Sequence, residues 1–178
     1  MADFAARLRD EGIAVPGVSV GSTPAMSVVE SLEGVTEARP GNYAFYDFMQ
    51  VTLGSCSVRD CAVTVLSSVV SHRPGEDRSV VDAGALAMSK DTGPPGKETL
   101  GEVFAGSFAE YQAGVLSQGT RLLSLSQEHG ILSAAQPVGS RVRILPNHSC
   151  LTVVQFDEYH AVRGEEVVDR FKVWRGRW

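Results

Sequence analysis

The feature that most constrains this chain is a change of rhythm near Phe45. Before it, helix-like and strand-like stretches alternate. Phe4, Leu8 and Ile13 with Ala5 and Ala6 predict a short amphipathic helix over residues 3–11, which Gly12 can cap. Pro16-Gly17-Val18-Ser19-Val20 reads as a brief strand ending in the turn Gly21-Ser22-Thr23-Pro24. A second helix is expected from Ser27 to Leu32, with Gly34 just past its end. Val35 to Arg39 is strand-like and leads into the turn Pro40-Gly41-Asn42-Tyr43. This α-β-α-β order is the rhythm of a parallel α/β sheet. Two such units cannot close a barrel, which takes eight and roughly 250 residues. Residues 1–46 are therefore expected to be the last units of something larger.

Beyond that point the apolar runs are short, rich in β-branched residues and separated by turn formers. Tyr46 to Gln50 reads as a short helical or turn segment. Strands are expected at Cys61–Val70, Ser79–Gly84, Leu122–Ser126, Val142–Leu145, Thr152–Phe156, His160–Arg163 and Val167–Trp174. Gly164-Glu165-Glu166 between two alternating runs suggests a hairpin. Residues 90–119 hold Pro94-Pro95-Gly96, Gly101, Gly106 and Gly114, and read as an irregular connection. The 18 glycines and 8 prolines suit a strand-rich fold with many tight turns. The expectation is a mainly β protein with a short α/β N-terminal segment. Residues 47–178 would form an antiparallel β-barrel or sandwich-like domain.

Arg141-Val142-Arg143-Ile144-Leu145 is the clearest half-buried strand, alternating apolar and charged, and Pro146 ends it because proline cannot donate to a ladder. His148 and Cys150 follow, two residues apart. In extended backbone such side chains point to the same side. An imidazole and a thiolate are zinc ligands; equally, a core cysteine can simply neighbour a surface histidine. A net charge of −5 with no basic block argues against a nucleic-acid surface. No apolar run is long enough for a membrane span. Asp3, Arg7, Arg9, Asp10 and Glu11 interrupt any signal-peptide core. Cys56, Cys61 and Cys150 are too few for a disulfide framework, so a cytoplasmic location with free thiols is expected.

Six stretches, in order, resemble the fold-type III pyridoxal-phosphate lyases that include D-serine dehydratase and D-threonine aldolase. They are Ser19–Pro24, Glu37–Tyr43, Asp60–Val65, Val81–Gly84, Glu128–Gly130 and Val142–Cys150. The resemblance implies that residues 1–46 are the last two strands of a (β/α)8 pyridoxal-phosphate barrel and that residues 47–178 are the β domain behind it. It implies a phosphate cradle at Gly21, Ser22, Thr23, Gly41 and Asn42, with Tyr43 either lining the pocket or packing the strand. Glycine turns at strand ends let backbone N–H groups approach an anion, although such turns are also ordinary connections. It implies a zinc pair at His148 and Cys150, with cysteine favouring a zinc-dependent dehydratase over the aldolase. Asp82, Glu128 and His129 would either support that metal or serve as turn and loop residues.

The family's catalytic lysine belongs to an early barrel strand. Of Lys90, Lys97 and Lys172, none has the setting that Schiff-base chemistry needs. The resemblance therefore implies part of a lyase for D-3-hydroxy amino acids, inactive alone. The alternatives are a partner subunit completing a site in trans, as a homodimer or with a barrel half, and a non-catalytic metal-binding or dimerisation domain. Open sheet edges and uncovered apolar faces predict self-association.

Overall fold

A computed structural model describes residues 1–176. Helix α1 (Ala2–Asp10) has Asp3 in its first turn and Arg7 and Arg9 in its last, each matched to the helix dipole. Strands β1 (Ser19–Val20) and β2 (Glu37–Ala38) pair in parallel, with Ser19 opposite Glu37 and Val20 opposite Ala38. The helix between them, α2, runs Thr23–Val28 rather than Ser27–Leu32. The Ser22 hydroxyl accepts the Ala25 N–H at 3.1 Å, and Pro24 lies in the first turn, where a missing N–H costs nothing. The turn that ends β1 therefore also starts the helix.

A 3-10 turn at Asn42–Ala44 and helix α3 (Phe48–Thr52) lead into the main body. Strands β3 (Val65–His72), β4 (Ser79–Val81), β5 (Glu102–Phe104), β6 (Leu116–Leu125), β7 (Gly130–Leu132) and β8 (Arg141–Leu145) close into a barrel in the order β3-β4-β7-β6-β5-β8. Each pairing is antiparallel, and closure leaves these strands without a free edge. The mainly β expectation holds, as a closed barrel. Its interior is packed with Val69, Val81, Leu122, Leu132 and Ile144, none more than 1% exposed. Strand β8 shows how the alternation works. Val142 and Ile144 face the core, while Arg143 donates to the Thr64 hydroxyl at 3.0 Å and stacks on the Tyr111 ring, 4.3 Å from its centroid. A second core cluster, Phe48, Cys61, Phe104 and Leu145, joins α3 to the barrel wall.

Several elements differ from expectation. The Gly/Pro-rich connection holds β5 and helix α5 (Phe108–Gln112), opened by a reciprocal Ser107–Glu110 capping box. Strand β5 has three residues and partners remote in sequence, so local patterning hides it. Strand β4 is shorter than expected and is followed by helix α4 (Ala85–Met88). Thr152 and Val153 belong to helix α6 (Ser149–Val153), not to a strand. The Thr152 hydroxyl donates to the carbonyls of Met88 at 3.0 Å and His148 at 3.2 Å, so a β-branched residue is held in the helix by a tertiary bond. Strands β9 (Glu158–Arg163) and β10 (Glu166–Lys172) form the expected hairpin around Gly164, at φ +63°. No described helix is long and apolar enough to cross a membrane.

Glu102 on β5 lies opposite Arg121 of β6. Burial pushes its carboxyl up, against the downward pull of Arg121 and Lys97. A carboxyl held above its unfolded value weakens the fold once ionised, and the penalty disappears below the unfolded value of about 4.3. Thermal melts of Glu102→Gln should show a raised Tm near neutral pH and no change below about pH 4. An equal gain at both would mean that charge is not the cause.

Candidate metal and cofactor site

The site is assembled around Asp47, which is fully buried. Its Oδ1 accepts the Gln50 N–H at 3.0 Å and caps α3. Its Oδ2 accepts the Ser149 N–H at 2.8 Å, at the start of α6, and Asn42 Nδ2 at 2.5 Å. One carboxylate thus holds the starts of two helices and the side chain of Asn42. The Phe48 and Met49 N–H groups donate to the carbonyls of Pro146 and Asn147, at 3.1 and 3.2 Å. The chain leaving β8 is pressed against the first turn of α3.

His148 is the last extended residue, at φ −136° and ψ 103°, and Ser149 and Cys150 are already helical. The extended His-Ser-Cys backbone expected from the spacing does not form, because Asp47 caps Ser149 and turns the chain into a helix. The helical turn gives the two side chains different neighbours, Asp91 for His148 and Asn42 for Cys150. Asn42 Nδ2 lies 3.2 Å from the Ser149 hydroxyl and 3.9 Å from Cys150 Sγ. His148 Nδ1 lies 3.1 Å from Asp91 Oδ2. Asp47, Gln50, Asp91, Asn147 and His148 line a cleft of about 310 Å³. Among the described residues, no three His, Cys, Asp or Glu side chains gather as a ligand cluster, so the pair offers two ligands. Cys150 is exposed and the His148 side chain is 45% exposed. An accessible imidazole and thiol suit zinc and leave room for water or substrate.

Gly21–Thr23 and Gly41–Tyr43 each follow a strand of the parallel β1–β2 pair, so both turns lie at the carboxyl end of that sheet. The buried Thr23 hydroxyl accepts the Tyr43 N–H at 3.0 Å and ties them together. A side chain on Gly21 would come within 2.7 Å of the Arg39 carbonyl oxygen, so strand packing itself requires this glycine. A Cβ on Gly41 would meet nothing within 4 Å. Tyr43 is 57% exposed. Open space at Gly41, and hydroxyls on Ser22 and Thr23 that each accept one internal bond while keeping an O–H to donate, are compatible with a bound phosphate.

The other residues singled out serve the barrel. Asp82 accepts the Ser67 hydroxyl at 2.6 Å and the Ser68 N–H at 2.8 Å. Burial raises its carboxyl, but these bonds outweigh that and hold it below the usual range. The Ala83–Leu86 turn packs on the 126–129 backbone, with Ala85 N–H donating to Ser126 at 2.9 Å and Leu86 N–H to Gln127 at 3.1 Å. The carboxylate beside His148 is Asp91, for which no local pattern gives a signal. Asp47 had one, an acidic residue followed three positions later by Gln50, the pattern of a helix start. Lys97 Nζ lies 5.6 Å from the Phe48 ring centroid and Lys172 Nζ 4.7 Å from that of Trp174, while Lys90 is exposed.

A family model described as the putative serine dehydratase domain matches residues 62–162. The chain belongs to this family. It is 38% identical to the D-threo-3-hydroxyaspartate dehydratase of a Delftia species, over 95% of this chain and 47% of that enzyme. Against the D-serine dehydratase of Dictyostelium discoideum it is 36% identical, over 96% of this chain and 45% of the relative. A solved structure of D-threo-3-hydroxyaspartate dehydratase, a variant with a cysteine changed to alanine in its metal-free form, superimposes with a TM-score of 0.82. It is 36% identical and covers 99% of this chain and 48% of that one. The chain thus spans about half the length of these dehydratases, and its barrel matches their C-terminal part.

Proposed function

We propose that this chain is the C-terminal portion of a pyridoxal-phosphate- and zinc-dependent lyase acting on D-3-hydroxy amino acids, by dehydration rather than by aldol cleavage. The observation that supports this reading is that Asn42 joins the Ser149-Cys150 turn, next to His148, to the Gly41–Tyr43 turn, which the Thr23 hydroxyl ties to the other strand-end turn. The solved D-threo-3-hydroxyaspartate dehydratase variants change a histidine and a cysteine that are two positions apart, the same spacing. In this reading residues 1–46 are the end of the cofactor barrel and residues 47–178 the β domain. Gly21, Ser22, Thr23, Gly41 and Asn42 hold the phosphate, Tyr43 lines the pocket, and His148 and Cys150 hold the metal. When bound, the cofactor supplies an electron sink and the zinc a Lewis acid for a departing β-hydroxyl. Asn42 orients Ser149 and Cys150, and Asp47 fixes Asn42.

The Schiff-base amine then comes from a barrel half, in the same polypeptide or a partner. The surface supports such a cover. Phe4, Val28, Val29 and Leu32 are 57%, 77%, 41% and 44% exposed, and the two-stranded β1–β2 sheet has open edges. The compartment proposed is the cytoplasm, in keeping with three free cysteines.

Metal analysis of the purified chain tests the site. Stoichiometric zinc is expected, and it should be lost in the His148→Ala, Cys150→Ser double variant while the fold persists by circular dichroism. A zinc-free wild-type chain, loaded with zinc and then dialysed, would sink the zinc reading. Pyridoxal phosphate added to this chain alone should give no borohydride-reducible imine at the site; such a band would place the amine here.

A further inference from the structure

The segment between α4 and β5 is fastened to the residues on either side of His148. Asn147 Nδ2 donates to the carbonyls of Asp91 at 2.8 Å and Thr99 at 2.6 Å, and the Thr152 hydroxyl donates to Met88 at 3.0 Å. Asn147 and Thr152 are almost wholly buried, so these bonds are shielded from water. Ser89, at φ +64°, redirects the chain between Met88 and Asp91, and its hydroxyl lies 3.4 Å from both the Asp91 carboxylate and its N–H. The Asp91 backbone is therefore placed by the same two residues that bracket His148. Its Oδ2 reaches His148 Nδ1 at 3.1 Å.

We infer that Asp91 is the positioning residue of the metal site, accepting a hydrogen bond from the Nδ1–H of His148 and so presenting an unprotonated Nε2 as the ligand. A neutral imidazole has one donor and one acceptor nitrogen, and the partner of the first decides which nitrogen is left for the metal. This inference rests on the zinc reading of the same site. Nothing in the stability of the fold explains the contact. The two side chains are 45% and 36% exposed, and pairs so exposed contribute little. A carboxylate behind a ligating histidine fixes the ring and raises its basicity, and losing it weakens metal binding about 10–100-fold.

The test uses the whole chain. Nitrogen-15 imidazole spectra of the metal-free protein at about pH 8, above the ordinary histidine pKa, report the tautomer. His148→Gln identifies the signal among the four histidines. Wild type should carry its proton on Nδ1, the reverse of the free amino acid. Asp91→Ala should shift it to Nε2 and lower zinc affinity about 10–100-fold in chelator competition, with little change in Tm. Asp91→Asn keeps an acceptor oxygen, so it should retain the tautomer and lose less zinc. An Nε2 proton in wild type overturns the inference, as does an unchanged tautomer in Asp91→Ala. Equal zinc loss in the Asn and Ala variants with the tautomer retained would also overturn it, by making Asp91 a ligand. Wild type that binds no zinc yet shows the Nδ1 tautomer would fell the zinc reading and uphold the Asp91–His148 arrangement.

Discussion

Replacing Asp47 by alanine is expected to cost the fold about 3 kcal/mol or more, read as a lowered urea midpoint. The carboxylate is fully buried and accepts three hydrogen bonds, from Gln50 N–H, Ser149 N–H and Asn42 Nδ2. Loss of an N-cap typically costs about 1 kcal/mol, and here two helices lose theirs. The stranded donors add about 1–3 kcal/mol each when no water replaces the acceptor. Asp47→Asn keeps one acceptor oxygen and should recover part of the loss. The same substitution should also lower zinc retention, because Ser149 and Asn42 fix the approach to Cys150. An alanine variant with wild-type stability would show that water fills the vacated position and that the two helices are held by other means.

Gly84→Ala is the second substitution with a large expected effect. A Cβ there would lie 2.4 Å from the Glu128 carbonyl carbon and 2.5 Å from both Gln127 O and His129 N. All three are backbone atoms on the opposing turn, and no rotamer change can clear them. The φ of −97° imposes no dihedral cost, so the whole penalty is steric. Forced overpacking of this kind costs about 1–3 kcal/mol, occasionally more, and the upper end is expected because both sides are backbone. Gly41→Ala is the control. Its φ is −112° and its Cβ would enter open space, so stability should stay within about 0.5 kcal/mol. Equal losses in the two variants would mean that loss of glycine flexibility, not the close approach, explains the effect.

The Gly84 contact also explains why two of the motifs occur together. Ala83-Gly84 and Glu128-His129-Gly130 are far apart in sequence, and each alone is an ordinary turn. In the barrel their backbones touch, so the small residues of one are required by the other. Their role is packing, and the acidic partner of His148 lies elsewhere, at Asp91. No pattern around Asp91 could reveal this, since its position depends on Asn147 and Thr152 holding the segment from across the fold.

Read alone, the sequence determined what depends on neighbours along the chain. The alternation of Arg141–Leu145 stopped by Pro146 and the hairpin around Gly164 are local patterns that formed as written, and the opening kept its α-β-α-β order although its second helix is Thr23–Val28, started by the Ser22 cap. The order of the motifs identified the family, since six matches in sequence leave few other assignments. The tertiary structure decided the rest. Pairing partners remote in sequence created β5 inside a Gly/Pro-rich connection, and a bond to Met88 kept Thr152 helical. Asp47, distant from His148 in the chain, capped Ser149 and gave the His-Ser-Cys run a helical turn in place of an extended one. Hydrogen bonds between distant residues can outweigh local propensity, which differs by only about 1 kcal/mol per residue. That is why His148 and Cys150 stood out as candidates from their spacing, while their geometry and the carboxylate beside His148 emerged only from the fold.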